Sequence, residues 1–270
     1  MTLHIFESLE QRSPEWYAAR CGIVTASVVG KLITYGPPDA GSVACPKCSA
    51  LADAPCVSVA RKTPTAIKTH HDARVAKAAD LPPLYAVADN DTSRAVTAAL
   101  VAERITGWAE ETPMTSDMWR GVEHEPIARD LYSGHYEAAT EVGFMVRDDW
   151  GFPIGYSPDG LVGDDGLLEI KVPRSKTHVL TVLADQVPAA YMAQLQTGLL
   201  VSGRKWIDYV PFVGGLPLWR KRVYPDPDWH AVIVAAVATF EKTAAEMVAA
   251  YEQATRDMPA TERVDLELVI

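Results

Sequence analysis

The chain has 270 residues, of which 48% are hydrophobic and 22% charged, and its formal net charge at pH 7 is −10. This composition is ordinary for a globular protein and excludes disorder throughout the chain. The longest apolar run, residues 231–240, is too short to cross a membrane, and the first residues lack the features of a signal peptide. We therefore expect a cytoplasmic protein, and its acidic charge argues against a protein that coats DNA regardless of sequence.

The predicted elements change character along the chain. Capping residues and apolar periodicity predict helices at 14–20, from Thr25 or Ser27 to 33, and at 92–107, 116–136, 188–202 and 228–255. Runs of β-branched and aromatic residues predict strands at 141–147, 152–157, 167–172, 206–213 and 216–224. Helices come first, then a mixed sheet with a crossover helix, and finally a long helix, and this order indicates an α/β fold.

Residues 42–88 show little regular period and contain three of the four cysteines. They predict an insertion, which divides the chain into an N-terminal helical part (1–41), an inserted module (42–88) and a core with the C-terminal helix (89–270). Within 42–80, six basic residues stand against three aspartates, so this stretch is positive in an acidic chain. The basic residues would suit DNA phosphates; they are Lys47, Arg61, Lys62, Lys68, Arg74 and Lys77.

The cysteine cluster has the spacing of a zinc site. Cys45-Pro-Lys-Cys48 predicts a tight knuckle, Cys56 follows after seven residues, and His70 and His71 lie beyond it. Three thiolates and one imidazole would give Zn²⁺ four tetrahedral ligands with no open position, which predicts a structural site. The alternative is a loop of reduced cysteines that holds no metal.

An acid cluster is expected on the predicted strand at 167–172. Asp159 lies ten residues before Glu169, and Lys171 follows two residues later. Side chains of a strand alternate, so Glu169 and Lys171 should share one face, and a turn at 163–166 should fold the segment of Asp159 back beside them. Two carboxylates that hold Mg²⁺, with a lysine that offsets negative charge, suit hydrolysis of a phosphodiester. The alternative is a solvated strand edge with a chance spacing.

Four further blocks accompany this cluster in a fixed order. They are 16–27 (WYAARCGIVTAS), 121–129 (GVEHEPIAR), Asp149 and 190–196 (AYMAQLQ). Together with the acid cluster they resemble the YqaJ-like viral recombinase family, whose members have the PD-(D/E)xK nuclease fold. The resemblance covers residues 10–35 and 90–215. An α/β nuclease core with an inserted small zinc-binding module is therefore the expected fold.

The resemblance implies a processive, metal-dependent 5′→3′ exonuclease that acts on linear double-stranded DNA. Such an enzyme digests one strand to mononucleotides and leaves a 3′ single-stranded tail for phage recombination. A single-strand annealing protein is the implied partner of that tail. Mg²⁺ or Mn²⁺ is the implied catalytic ion, and a homo-oligomer, typically a trimeric ring through which DNA threads, is the implied assembly.

The family motifs also imply catalytic roles for residues of this chain. Asp159 and Glu169 match the metal-binding carboxylates, and Lys171 matches the catalytic lysine. Glu125 matches the helical glutamate of the active site. Gln194 matches the glutamine of the crossover helix.

The remaining matches concern a further metal ligand and the 5′-phosphate. Asp149 matches an additional metal-binding acid, with neighbouring Asp148 as the alternative. Arg20, Ser27 and Ser157 match the residues that hold the 5′-phosphate, and a guanidinium beside a hydroxyl at a helix start suits that anion. Taken singly, Arg20 could be a cation at a helix C-terminus and Ser27 an ordinary N-cap.

The inserted module resembles small zinc modules of actinobacterial phage proteins, which pair a Cys-Pro-x-Cys knuckle and a third cysteine with a later His-x-x-Arg. His71 and Arg74 fit this ending, which favours His71 over His70 as the fourth ligand. Cys21 is far from the cluster in sequence and is predicted to be a small buried residue. The module could capture DNA ends, contact another subunit or dock a partner protein.

Two rival interpretations stay open. One is another nuclease of the same fold, either an endonuclease or a Cas4-like DNA-processing enzyme, although the latter typically carries an iron–sulfur cluster on four cysteines. The other is a non-catalytic protein that binds DNA or docks a partner. The basic stretch Trp219–Arg222 could contact a DNA backbone or form a solvated hairpin.

Overall fold

The computed structural model of the chain describes residues 2–60, 63–109 and 113–263. Arg61 and Lys62, two of the basic residues expected to suit DNA, lie outside the described residues. The strands are β1 (Leu3–Phe6), β2 (Val24–Thr25), β3 (Ile33–Gly36), β4 (Leu84–Val87), β5 (Ala139–Thr140), β6 (Phe144–Arg147), β7 (Ile154–Tyr156), β8 (Gly160–Val162), β9 (Gly166–Lys171), β10 (Trp206–Pro211) and β11 (Lys221–Val223). The helices are α1 (Pro14–Arg20), α2 (Ala26–Val29), α3 (Asp72–Ala79), α4 (Asp91–Thr106), α5 (Ser116–His135), α6 (Ser175–Ala184), α7 (Ala189–Ser202) and α8 (Pro227–Thr255).

The central sheet has the strand order β11-β10-β9-β8-β5 and is antiparallel except for the β9–β10 pair. Strands β8 and β9 form a hairpin across the predicted turn at 163–166, where Gly163 has a φ of 51° that glycine adopts at little cost. From β9 the chain passes through α6 and α7 before it returns as β10, because parallel strands need a crossover connection. The mixed α/β fold expected from the sequence is confirmed.

A second sheet brings the N-terminal block to the end of β7. Its strand order is β1-β6-β7-β2, with β6 and β7 antiparallel and β2 parallel to β7. Val24 of β2 pairs with Ile154 of β7. As a consequence, the start of α2 lies next to the residues that follow β7.

The two faces of the central sheet are covered by different elements. On one face, Leu167 of β9 packs in the largest hydrophobic cluster together with Leu199 of α7 and Val237 of α8. On the opposite face, Leu168 packs in a second cluster with Tyr132 of α5. Adjacent residues of β9 therefore point to opposite faces, as the period of two predicts.

The inserted module joins the core through the antiparallel β3–β4 pair. Tyr35 of β3, Tyr85 of β4 and Trp229 of α8 pack with ring centroids 5.0–5.1 Å apart. This aromatic cluster attaches the base of the module to the C-terminal helix. Strand β4 lies inside the predicted insertion at 42–88, but its Tyr85 and Val87 pack against the main core.

The helix predicted from Thr25 or Ser27 to residue 33 is shorter than expected. It ends at Val29, a 3₁₀ turn follows, and Ile33 begins β3, where it pairs with Val87 of β4. Pairing of this β-branched residue within a ladder overrides the local helical pattern. Helix α6 and strand β1 were not predicted, and α6 has four β-branched residues in ten, which lowers its helix propensity.

Helix α8 closes the core as predicted and spans 29 residues. Its first turn is capped by Asp226, whose carboxylate accepts hydrogen bonds from the backbone N–H groups of Asp228 and Trp229. Among the described residues, no helix, α8 included, combines the length and the apolar character that crossing a membrane requires.

Candidate active site and metal centre

Glu169 lies at the centre of a buried polar cluster on β9. Its side chain is 1% exposed. One carboxylate oxygen, Oε1, accepts hydrogen bonds from Lys171 Nζ and Gln194 Nε2, both at 2.5 Å. The other, Oε2, accepts one from the Tyr156 hydroxyl at 3.1 Å. The shared face predicted for Glu169 and Lys171 is confirmed, and α7 brings Gln194 onto the same carboxylate.

Asp159 joins this cluster because the β8–β9 hairpin folds back. Its Oδ2 accepts a hydrogen bond from the backbone N–H of Ile170 at 2.6 Å. Burial, followed by the nearby charge of Glu169, raises the pKa of Asp159 well above its ordinary value. Burial alone would lower the pKa of Lys171, but Glu169 and Asp159 raise it above the ordinary value, so the ammonium stays charged.

Glu125 on α5 is connected to Asp159 through an arginine. Glu125 Oε1 accepts a hydrogen bond from Arg129 Nη2 at 2.7 Å, and Oε2 accepts one from Arg12 Nη2 at 3.3 Å. Arg129 also donates from Nε to the backbone carbonyl of Asp159 at 2.6 Å. The charge of Glu125 contributes to the raised pKa of Asp159, which places the two carboxylates in one electrostatic cluster.

The structure does not bring Asp149 or Asp148 to this cluster. Asp149 Oδ1 accepts a hydrogen bond from the backbone N–H of Thr2 at 2.8 Å, and Oδ2 pairs with Arg147 at 3.4 Å. Both acids precede β7, whereas Asp159 follows its far end. The β6–β7 turn positions Asp149 beside β1, and its metal role stays a prediction.

The donor set of Asp159 and Glu169 fits a divalent cation. Both side chains offer carboxylate oxygens, which are the ligands that Mg²⁺ and Mn²⁺ prefer. The two buried acids repel each other, as the raised pKa of Asp159 indicates, and a divalent cation between them would relieve that repulsion.

The residues predicted to hold a 5′-phosphate converge on the guanidinium of Arg20. Arg20 donates from Nη1 to Ser157 Oγ at 3.0 Å, and from Nη2 to Ser27 Oγ at 3.3 Å and Thr25 Oγ1 at 3.4 Å. The ring of Trp16 lies 3.8 Å from the guanidinium carbon, and its indole N–H donates to Ser157 Oγ at 3.0 Å. A cation stacked on an aromatic ring and surrounded by hydroxyls is well suited to binding an anion.

A cavity of about 220 Å³ opens beside this guanidinium. Arg20, Ser27 and Ser157 line it, and so do Tyr156 and Gln194, which both donate to Glu169. The cavity and the acid cluster therefore share two side chains. Burial lowers the pKa of Arg20 to about 10, so its guanidinium is still charged at neutral pH.

The predicted zinc ligands are assembled in the inserted module. The ligand atoms of Cys45, Cys48, Cys56 and His71 all lie within 4.8 Å of one another. His71 Nδ1 is 3.4 Å from Cys45 Sγ, so the structure selects His71 rather than His70. Three sulfurs and one imidazole nitrogen at such separations suit tetrahedral Zn²⁺.

The cysteine environments differ within this module. Burial raises the pKa of Cys45. Burial alone would also raise the pKa of Cys56, but hydrogen bonds from the His71 backbone and from the Arg74 guanidinium hold it at about 5. Cys21 lies elsewhere, where its thiol donates to the carbonyl of Glu103 at 3.3 Å, so the structure gives it no part in the cluster.

The structure shows where three of the basic residues lie. Arg74 was expected to suit DNA phosphate, but it is 0% exposed and its donors are directed into the module. Arg220 and Arg222 of the stretch Trp219–Arg222 both bind the buried carboxylate of Asp208, at 2.5 and 2.8 Å. These arginines are held by the fold, because an unpaired buried carboxylate is costly.

Several residues that contact the site were not predicted from the sequence. Arg12 binds Glu125 and has a φ of 73°, an uncommon conformation for a residue with a side chain. Tyr156 is fully buried below Glu169, and Arg129 bridges two acids. Arg12 and Tyr156 lie outside the blocks that carry the resemblance. Arg129 ends the block 121–129 without an assigned role, and Trp16 lies within the N-terminal block, four residues before Arg20 on one helix face.

Comparisons with known proteins agree with this geometry. Residues 85–205 match the family model of the YqaJ-like viral recombinase domain, and residues 10–90 match one described as "Putative DNA-binding phage zinc finger domain". The chain is similar to an alkaline exonuclease (LHK-Exo) from Laribacter hongkongensis, with 27% identity and a TM-score of 0.63 over 92% of this chain and 100% of that chain. LHK-Exo in complex with dAMP matches with the same values. A comparison with curated proteins finds no match.

Each matched range contains the residues of one cluster, either the acid cluster or the Cys₃His cluster. The recombinase range contains Glu125, Asp159, Glu169, Lys171 and Gln194, and the zinc finger range contains all four residues of the Cys₃His cluster. Residues 85–205 are therefore similar to the YqaJ-like viral recombinase domain, and residues 10–90 are similar to a phage zinc finger domain.

Proposed function

We propose that this protein is a divalent-metal-dependent 5′→3′ exonuclease that digests one strand of linear double-stranded DNA and leaves a 3′ single-stranded tail for phage recombination. Nuclease action on DNA has the broader support, from the recombinase domain and from the similarity to alkaline exonucleases. The direction of digestion, the tail and the choice of Mg²⁺ or Mn²⁺ are the finer parts of the proposal.

One observation carries the proposal: the anion cavity and the acid cluster share the side chains of Tyr156 and Gln194. A terminal phosphate held by Arg20 in this cavity would place the next phosphodiester of the strand towards Glu169. Only a strand end can deliver such a phosphate, so the arrangement favours exonucleolytic cleavage from the 5′ end. Ser27 and Ser157 would complete the contacts to the phosphate oxygens.

The chemistry assigned to the acid cluster is hydrolysis of the P–O3′ bond. A divalent cation held by Asp159 and Glu169 would supply Lewis acidity and stabilise charge on the phosphate. Lys171, kept protonated by its two carboxylate neighbours, would orient the attacking water and offset the negative charge that develops. Gln194 and Tyr156 hold Glu169 in place through their hydrogen bonds.

The products of this cleavage fit the anion cavity. Water oxygen forms a bond to phosphorus, the P–O3′ bond breaks, and the leaving 3′ oxygen takes a proton. The released mononucleotide keeps its 5′-phosphate, and the shortened strand has a new 5′-phosphate. Each cleavage thus regenerates the group that Arg20 would bind, which supports repeated digestion of one strand.

Three substrates test the proposal. They are a linear duplex with 5′-phosphates, the same duplex with 5′-hydroxyls, and a closed circular duplex, each incubated with Mg²⁺, with Mn²⁺ or with a chelator. We expect mononucleotides from the phosphorylated linear duplex, with loss of a label from the 5′ end before one from the 3′ end. Nicking of the circle would indicate an endonuclease, and binding without cleavage of any substrate would indicate a non-catalytic protein.

We also propose that Zn²⁺ occupies the Cys₃His cluster as a structural ion. The support is the ligand geometry and the match to a phage zinc finger domain. Metal analysis of the purified chain should find one zinc and no iron, and iron would instead favour the Cas4-like alternative. Cys21 is held at Glu103 and does not complete a four-cysteine set.

The proposal includes two kinds of partner. The 3′ tail would be handed to a single-strand annealing protein, and the nuclease would act as a homo-oligomer, with a trimeric ring as the form that the family resemblance implies. Light scattering on the purified chain, with and without DNA ends, measures the number of subunits. A monomer that digests long duplexes processively would exclude the ring as the basis of processivity.

A further inference from the structure

Arg74 occupies the interior of the zinc module although its charge suggests a surface position. It lies near the start of α3, three residues after the zinc ligand His71, and its side chain is 0% exposed. A guanidinium cannot be deprotonated at physiological pH, so its burial requires compensating acceptors.

All five N–H donors of Arg74 have an acceptor. Nε donates to the carbonyl of Val43 at 2.8 Å. Nη2 donates to the carbonyls of Gly41 at 2.7 Å and Leu51 at 3.0 Å. Nη1 donates to the carbonyl of Ala54 at 2.7 Å and to Cys56 Sγ at 3.5 Å. A guanidinium has five such donors, so its capacity is used completely.

These acceptors lie in segments outside the strands and the α-helices. Gly41 and Val43 precede the Cys45–Cys48 knuckle, and Leu51 and Ala54 lie between the second and third cysteines. One side chain therefore connects both loops around the metal ligands. A lysine at this position has three donors and could not satisfy the same set.

The charge of Arg74 also complements the ligand set. Three thiolates and a neutral imidazole around Zn²⁺ leave one net negative charge. Arg74 supplies one positive charge, and its Nη1 is 3.5 Å from Cys56 Sγ. A buried centre with zero net charge is less costly than an uncompensated one.

We propose that Arg74 is the positioning residue of the zinc centre: it fixes the two ligand loops, donates to the Cys56 sulfur and balances the charge of the zinc–thiolate group. The inference rests on the proposal that Zn²⁺ occupies the cluster, and it assigns Arg74 no contact with DNA.

The test measures Zn²⁺ affinity of the full chain by competition with a chromophoric chelator. Arg74→Lys keeps the charge but lacks two donors, and Arg74→Gln lacks the charge as well. Loss of an outer hydrogen bond to a metal ligand typically weakens metal binding about 10–100-fold, so we expect about 10-fold for R74K and about 100-fold for R74Q. Lys68→Gln, at an exposed cation of the same module, is the matched control and should leave affinity unchanged.

A second measurement separates positioning from a general effect on folding. With Co²⁺ at saturation in place of Zn²⁺, the thiolate-to-cobalt absorption band should shift in R74Q, because Cys56 has lost its N–H donor, and should keep its position in K68Q. Cleavage of a linear duplex by the same samples reports an intact nuclease core.

Two results would overturn the inference and are distinguishable. If R74Q binds Zn²⁺ as tightly as the parent and gives the same cobalt band, Arg74 does not position the centre, while the zinc assignment stands. If the parent chain itself binds no Zn²⁺, the zinc assignment and the inference fail together.

Discussion

The nuclease core and the zinc module both enclose charged groups, but they position them by different means. In the core, β9 and α7 place Glu169 and Gln194 through regular ladder and helix geometry, above a large hydrophobic cluster. In the module, the three cysteines of the Cys₃His cluster lie on loops that Arg74 connects through carbonyl acceptors. Hydrophobic burial therefore holds the acid cluster, whereas polar contacts hold the loops of the module.

The largest expected effect comes from removing the cation of the acid cluster. We expect Lys171→Ala to reduce single-turnover cleavage at least about 100-fold, because a group that offsets developing charge typically contributes that much. Folding, measured by thermal unfolding, and zinc content should stay close to those of the parent. Lys205→Ala is the matched control, since Lys205 lies exposed just before β10 and pairs with Asp165. Full activity of K171A would remove the proposed mechanism.

Replacement of the buried Asp208 is expected to lower the stability of the core strongly. Asp208 is 0% exposed and binds Arg220, Arg222 and the Tyr132 hydroxyl. Asp208→Ala leaves two cations without their carboxylate and should lower the free energy of unfolding by about 3–5 kcal/mol. The exposed acid Asp165, replaced by Ala, should change it by no more than about 1 kcal/mol. Urea titration of both variants measures the difference.

The same carboxylate predicts a pH dependence of stability. Burial alone would raise the pKa of Asp208, but hydrogen bonds from Arg222, Tyr132 and Arg220 hold it below the ordinary value of 3.8. A group with a lowered pKa in the folded state contributes stability above its unfolded pKa and loses it as pH falls through the folded one. The stability advantage of the parent over D208A should therefore be constant near neutral pH and shrink as the pH falls below about 4. An advantage that grew in acid would contradict the ion cluster.

Removal of zinc should unfold the module and leave the nuclease core folded. A zinc-selective chelator, followed by Mg²⁺ replenishment, should open the module because metal binding and folding are coupled at such sites. Limited proteolysis should then cut between Gly41 and Asp80, while α7 and α8 stay protected by the main core. A core that unfolds together with the module would show that the two parts are not held independently.

The parts that the sequence predicted are those fixed by short-range geometry. The period of two placed Glu169 and Lys171 on one face, and the glycine turn returned Asp159 to them. The ten-residue spacing between Asp149 and Asp159 does not bring the two side chains together. Asp149 lies in the turn before β7, and Asp159 lies beyond the other end of that strand. Long-range partners such as Tyr156 have no local signature.

Charge in the sequence was a poor guide to exposure. Arg74 lies in a basic stretch that suggested a DNA-binding surface, yet its position is set by acceptors from four loop residues that only the folded module brings together. The same holds for Arg220 and Arg222, whose partner Asp208 lies on a different strand. The identity of a cation's partner is a tertiary property, and no pattern within the stretch reveals it.

Arg20 of the core and Arg74 of the module differ in the hydrogen-bond partners of their guanidinium groups. Arg74 is 0% exposed and donates to backbone carbonyls at 2.7–3.0 Å. Arg20 donates to side-chain hydroxyls at 3.0–3.4 Å beside an open cavity, and these weaker partners can rotate away from it when an anion arrives. The two arginines are therefore expected to differ in function as well as in surroundings.

The smallest predicted effect follows from this difference. Arg20→Ala should lower the ratio of cleavage rates for 5′-phosphorylated over 5′-hydroxyl duplex about 10-fold, as expected when charged hydrogen bonds worth about 1.5–3 kcal/mol are lost. Arg94→Ala, an exposed arginine paired with Asp89 and Asp91, is the control and should keep the ratio. An equal loss on both substrates would mean that Arg20 supports the fold rather than the phosphate. A loss confined to phosphorylated ends would indicate that Arg20 binds the terminal phosphate of the strand.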